Sequence, residues 1–146
     1  MSISDDIVTH ARGWLGTPFH HQARLKKVGC DCLGLVVGVV DELGLKDSTG
    51  ALLSSYDEVT YSREPDGAYL MQKLVGLLEE IPITEKRAGD LGLFNVRDNP
   101  QHVAIFTDYE GTLGMIHCYA QARRVVEHRL DDDWASRLVK VFRWQQ

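Results

Sequence analysis

The stretch Val28-Gly29-Cys30-Asp31-Cys32-Leu33-Gly34-Leu35 runs directly into the apolar segment Val36-Val37-Gly38-Val39-Val40 and is closed by Glu42, Leu43 and Gly44. A small polar residue ahead of a cysteine, followed by apolar residues and a terminal glycine, predicts a helix with Asp31 as its cap and Cys32 in the first turn. Free N–H groups and the positive end of the helix dipole at such a position favour a negative sulfur. The spacing therefore predicts a thiol of lowered pKa that acts as a nucleophile near neutral pH. The rest of the chain decides what this helix packs on and whether a base stands beside the thiol.

A chain of 146 residues with 44% hydrophobic content fills one core, so residues 1–146 are expected to form one domain. The formal net charge of −5 and a pI near 5.6 argue against nucleic acid as the main partner, because phosphate binding needs a concentrated basic face. The one short basic cluster, Arg24-Leu25-Lys26-Lys27, reads as a solvated loop. Apolar runs are short and interrupted by charges, so no membrane span is expected. No charged segment followed by an apolar one opens the chain, which leads to an expectation of cytoplasmic synthesis without a signal peptide. Three cysteines give no disulfide framework and are expected as thiols in a reducing compartment.

Along the chain, Ser4-Asp5-Asp6 precedes Ile7, Val8, Ala11, Trp14 and Leu15 at helical spacing, and Gly16-Thr17-Pro18 stops the pattern. Residues 48–66 are rich in Ser, Thr, Tyr and Gly with little periodicity and read as a long surface segment. Residues 68–81 carry Leu70, Met71, Leu74, Leu77 and Leu78 on one face, which predicts a third helix ending before Pro82. From Ala88 the period changes to alternation. Strands are predicted over 90–94, 102–107, 113–119, 124–129 and 138–144. About five strands after three helices, joined by short connections, imply an α+β domain with N-terminal helices packed on a C-terminal antiparallel sheet.

If residues 108–111 form a four-residue hairpin loop, Thr107 faces Thr112 and His102 falls opposite His117. Opposed residues have Cβ atoms roughly 4.5–5.5 Å apart, so the two imidazoles can touch, whereas a one-residue slip would send them to opposite faces. Two touching histidines beside a helix-capped cysteine supply a nucleophile (Cys32), a base (His102) and an orienter (His117), the logic of a cysteine hydrolase.

Five segments carry a resemblance to the NlpC/P60 family of cell-wall peptidases: Trp14-Leu15-Gly16-Thr17-Pro18-Phe19, Gly29 to Val36, Gly89-Asp90-Leu91-Gly92-Leu93-Phe94, Gln101 to Phe106, and Met115-Ile116-His117. With His20-His21-Gln22-Ala23 ahead of the cysteine motif, the chain resembles the subgroup encoded by phages and gene transfer agents at the tail tip. The resemblance implies a papain-like α+β fold, no cofactor, and cleavage of peptidoglycan stem peptides, typically between D-γ-glutamate and a diamino acid. It places Cys32 on the nucleophile, His102 on the base and His117 on the third position. It also implies substrate-side positions for Asp31, Phe19 and His20, tail-tip proteins as partners, and action at the cell wall within a phage-like particle. The chain departs from the family pattern at Leu33, where a serine is usual, and at Phe19, where many members carry a tyrosine. Oxyanion stabilisation is then expected from backbone N–H groups at the helix start, including that of Cys32, or from His20.

Two rival readings exist. Cys30, Cys32, His20, His21, His102, His117 and Cys118 are all metal-ligand types, but a lone Cys-x-Cys lacks the second close pair of a zinc site. The fold can also serve as a catalytically silent module of a tail assembly. Cys118, Trp134 and Trp144 read as core, and Asp131-Asp132-Asp133 as a solvated turn.

Overall fold

The computed structural model describes residues 2–47, 49–56, 74–96 and 99–144. Its first helix, α1 (Ile3–Arg12), starts earlier than the sequence pattern suggests, because the Ser2 hydroxyl accepts from the Asp5 N–H. It buries Ile7, Val8 and Ala11 and stops at Gly13, leaving Trp14 in the turn that follows. The second, α2 (Cys32–Leu43), has the expected cap: Asp31 is extended and its Oδ1 accepts from the Gly34 N–H at 2.8 Å. Gly44, in the left-handed region at φ 62°, closes the helix by donating to Asp41 and Val40 carbonyls. The two helices pack closely because Gly38 lies under the Trp14 ring, where an added Cβ would come within 2.1 Å of a ring carbon. Trp14 Nε1 donates to Glu42 on α2 at 3.2 Å, satisfying the one polar atom of the ring.

Ahead of α2, β1 (Arg24–Leu25) and β2 (Gly29–Cys30) form a small antiparallel pair. The main sheet consists of β3 (Glu79–Ile81), β4 (Leu91–Val96), β5 (Asn99–Tyr109), β6 (Thr112–Cys118), β7 (Val125–Arg129) and β8 (Leu138–Arg143). Its six strands run in the order β3-β8-β4-β5-β6-β7, all antiparallel. Alternation along the strands gives two apolar layers. Leu91, Leu93, Val103, Ile105, Ile116 and Cys118 pack with Ile7, Leu35 and Val39 of the helices. On the other side, Phe94, Ala104, Phe106, Met115 and Val141 pack with Trp134 of the short helix α3 (Asp132–Ser136), which Asp131 caps through the Trp134 N–H. The C-terminal end of α1 is tied to the sheet by Arg12, which pairs with Glu127 at 2.9 Å, and Glu127 in turn accepts from the Thr107 hydroxyl at 2.8 Å.

Two expectations are corrected. The third helix does not reach Ile81: residues 74–77 are helical, but 79–81 form β3, with Glu80 opposite Phe142 and Ile81 opposite Val141. Strand pairing at the free edge of β8 outweighs the helical spacing there. Residues 68–73 of that helix, and most of the 48–66 segment, lie outside the described residues. The β5–β6 hairpin has a two-residue turn, not a four-residue loop: Tyr109 faces Thr112, with Glu110 at φ 50° and Gly111 at φ 82°. Positive φ at both positions is the type I′ geometry that matches the twist of paired strands. The register is thereby shifted by two residues from the expected one.

Candidate active site

A two-residue shift preserves the face of every side chain. His102 and His117 therefore remain on one side of the sheet although they are not directly opposed. The ladder sets Ile105 against Ile116, and its count, continued, would put Ala104 opposite His117. The histidines are diagonal neighbours, a distance that long side chains bridge. His102 Nε2 and His117 Nδ1 lie 2.8 Å apart.

The β5–β6 ladder ends at Ile105 and Ile116, while β5 continues backward along β4 and β6 continues forward along β7. The two strands thus part where the histidines stand. The N-terminus of α2 lies against β5 beside them. The backbone N–H groups of Val103 and Leu33 point at the Cys32 sulfur. Val103 adjoins His102 in β5, so the thiol of α2 sits against the strand that carries His102.

The electrostatics differ from the helix-end expectation. Burial, and next the negative charge of Asp31, push the Cys32 thiol up to about 12, against the opposing pull of the Val103 and Leu33 N–H groups and of Arg24. Burial, and next the positive charge of Arg137, push His102 down to about 3. Burial, with neighbouring His102 and His128, pushes His117 down to about 2. The expected lowered thiol pKa is therefore corrected: desolvation outweighs the amide contributions and disfavours both the thiolate and the imidazolium forms. Trp134 packs against both histidines, with ring centroids 5.1 Å from His102 and 4.8 Å from His117. Tyr119 stacks on His117 at 4.7 Å. Trp134 is core, as expected, but its core position is the wall of the histidine pair.

Asp31 is buried, and both its oxygens are engaged: Oδ1 accepts from Gly34 N–H and from Arg24 at 3.1 Å, and Oδ2 from Gln22 N–H at 2.9 Å. It caps α2 and clamps the preceding loop. Phe19 and His20 are seated beside the cysteine motif by backbone pairing, Phe19 bridging Cys30 and His20 N–H donating to the Cys30 carbonyl. Phe19 packs on the core cluster together with Cys32 and Leu33, while His20 is exposed and its Nδ1 lies 3.2 Å from the His21 carbonyl. Cys30 and Cys118 are fully buried, and the Cys118 thiol donates to the Cys30 carbonyl. Among the described residues, no group of three or more His, Cys, Asp and Glu side chains is arranged to hold a metal ion.

One site residue escaped the sequence reading. His128 of β7 lies 2.8 Å, Nε2 to Nε2, from His117. His117 faces Val126 in the β6–β7 ladder, so His128 is again a diagonal neighbour. Alternation in the predicted strand 124–129 puts Val126 and His128 on one face. That signal becomes usable only once the β6–β7 register is known.

An antiparallel sheet with a helix-capped cysteine at its parted strands and a histidine pair alongside defines the class of papain-like α+β proteins with a Cys/His/His site. The NlpC/P60 family model matches residues 16–143, and the chain belongs to that family. Solved structures agree in fold. An NLP/P60 family protein of Staphylococcus aureus described as similar to a lipoprotein superposes with a TM-score of 0.67 at 19% identity over 99% of this chain and 42% of its own. The NlpC/p60 domain of the peptidoglycan hydrolase SagA gives 0.63 at 19% identity over 95% and 97%, and the peptidoglycan hydrolase RipB of Mycobacterium tuberculosis gives 0.61 at 18% over 99% and 65%. The chain thus spans about two fifths of the staphylococcal protein. No curated protein sequence matches it.

Proposed function

We propose that the chain is a cysteine peptidase that hydrolyses peptidoglycan stem peptides at the bond between D-γ-glutamate and a diamino acid, with Cys32 as nucleophile, His102 as base and His117 as orienter. The observation that carries the reading is the 2.8 Å His102–His117 contact, with Cys32 against Val103, the next residue of the same strand. Family membership and the peptidoglycan hydrolases of the same fold support the substrate class. The Cys32 proton passes to His102 as sulfur attacks the scissile carbonyl carbon, forming a tetrahedral oxyanion. Gly34 N–H is spent on the cap and Leu33 N–H points at the sulfur, which leaves the Cys32 amide at the mouth of α2 to face that charge. As the C–N bond breaks, His102 gives its proton to the leaving amine and a thioester remains. Water, deprotonated by His102, then attacks the thioester carbon, and the released sulfur recovers the proton. Phe19 and His20, held beside Cys30, are the proposed substrate-side wall, and Asp31 contributes by fixing the helix mouth.

Digestion of purified peptidoglycan and defined stem peptides, with products weighed by mass spectrometry, tests this. New termini at the D-γ-glutamyl link, absent with Cys32→Ser, are expected. Hydrolysis of casein, or release of sugar fragments alone, would overturn it. The tail-tip setting is supported by the His20-His21-Gln22-Ala23 resemblance and is tested by seeking this chain in purified phage-like particles.

A further inference from the structure

We propose that His128 is a positioning residue which, through an unbroken row of hydrogen bonds starting at a backbone carbonyl, sets the tautomers of His117 and His102 and keeps the Nδ1 lone pair of His102 free to take a proton. The inference rests on His102 being the base. Three rings stand on a diagonal across β5, β6 and β7. His128 Nδ1 lies 2.8 Å from the Arg129 carbonyl, its Nε2 lies 2.8 Å from His117 Nε2, and His117 Nδ1 lies 2.8 Å from His102 Nε2.

The direction of the row follows from its end. A carbonyl oxygen only accepts, so the neutral His128 ring carries its hydrogen on Nδ1 and offers a lone pair at Nε2. His117 must then donate from Nε2 and accept at Nδ1. His102 must donate from Nε2, which leaves its Nδ1 unprotonated. Every internal nitrogen of the row is used once as donor or acceptor. Turning any one ring to the other tautomer sets donor against donor or lone pair against lone pair. Reversal of the whole row would need a donor in place of the Arg129 carbonyl. Burial of His102 and His117 adds weight to this, since an unmatched polar pair there has little water to fall back on.

The test reads tautomers directly, by two-bond ¹⁵N–¹H NMR of the folded protein near pH 7.5. The wild type should show the hydrogen on Nδ1 of His128 and on Nε2 of His117 and His102. His128→Gln offers an amide oxygen where Nε2 stood and should keep the pattern and most of the activity. His128→Lys presents only donors, so it should drive the hydrogen of His102 onto Nδ1 and lower kcat by roughly 10²-fold, with KM little changed. A wild-type His102 with its hydrogen on Nδ1 overturns the proposal without any variant, as does identical behaviour of folded Gln and Lys variants. The expected tautomers in a protein that leaves stem peptides uncut would instead defeat the peptidase reading and leave the positioning role of His128 standing. Turnover with reversed tautomers would do the opposite.

Discussion

His102 Nε2 lies 2.8 Å from His117 Nδ1 although no direct ladder pair joins the two residues. The contact is a diagonal one across strands that are parting, so it is maintained by the rings and by the wall of Trp134 and Tyr119. The proposed base and orienter should respond differently to substitution. His102→Ala removes the proposed acceptor of the thiol proton and should lower kcat/KM by about 10²–10⁴-fold. His117→Asn retains a side-chain oxygen able to accept from Nε2–H and should lose less. Steady-state assays on a stem peptide, with folding of each variant checked by its melting temperature, measure the difference; equal losses would remove the distinction between the two roles.

The thiol should titrate late. Burial pushes Cys32 up to about 12 and His102 down to about 3, which disfavours a standing thiolate–imidazolium pair, so in the proposed mechanism proton transfer accompanies attack. Alkylation of Cys32 by iodoacetamide should therefore be slow at pH 6 and keep accelerating beyond pH 8.5, about where an ordinary thiol has half ionised. Cys30 and Cys118, fully buried, should remain unlabelled until the protein unfolds. Peptide mapping after timed alkylation from pH 5 to 10 follows all three. A rate for Cys32 that is flat from pH 6 to 8 would show a preformed ion pair.

Much of this arrangement is legible in the sequence because it depends on parity and on caps. The cap at Asp31 and the glycine stop at Gly44 are local chemistry, and α2 forms where the pattern puts it. The histidine contact survives an error of two residues in register because side chains alternate with a period of two. The turn itself was hidden, since Glu110-Gly111 lacks the Asn or Asp that usually announces a type I′ hairpin. The β3 strand was hidden by leucines at helical spacing just before it, and its pairing with β8 is long-range. His128 depended on a register that no turn residue declares. The raised thiol pKa was out of reach for a different reason: a helix end can be read from neighbours in sequence, whereas desolvation depends on everything folded around it.

The same burial makes an acid-sensitive element. An unfolded histidine protonates near 6.5, about its ordinary value, while folded His102 and His117 stay neutral until about 3 and about 2. Between these limits the unfolded chain binds more protons than the folded one. The stabilisation from neutral rings is thus complete above the unfolded value and is lost as pH falls below it. Wild-type protein should lose melting temperature between pH 6 and 4 more steeply than His102→Gln or His117→Asn, each of which removes one proton uptake. Thermal melts across that range compare the slopes, and parallel curves would mean that these rings carry charge in the folded state.

The last prediction concerns the pair that anchors the start of β4 to the end of β8. Asp90 is fully buried; Arg143 holds it with two parallel bonds, Nε to Oδ1 and Nη2 to Oδ2, both 2.9 Å, and the Arg87 N–H adds a third at 2.9 Å. Burying a carboxylate is costly, and its partners offset that cost only while all are present. Arg143→Ala leaves the charge with one backbone donor and should cost about 3–5 kcal/mol. Replacing Asp90 as well removes the stranded charge, so the double variant Asp90→Ala/Arg143→Ala should be more stable than Arg143→Ala alone. A purely packing role for Arg143 predicts the reverse order, since the double change deletes more atoms. Urea unfolding of the single and double variants decides between them, with the sign of the coupling as the readout. The site itself should be unaffected in whatever fraction remains folded, because the pair lies at the β4–β8 side of the sheet and the histidine row crosses β5, β6 and β7.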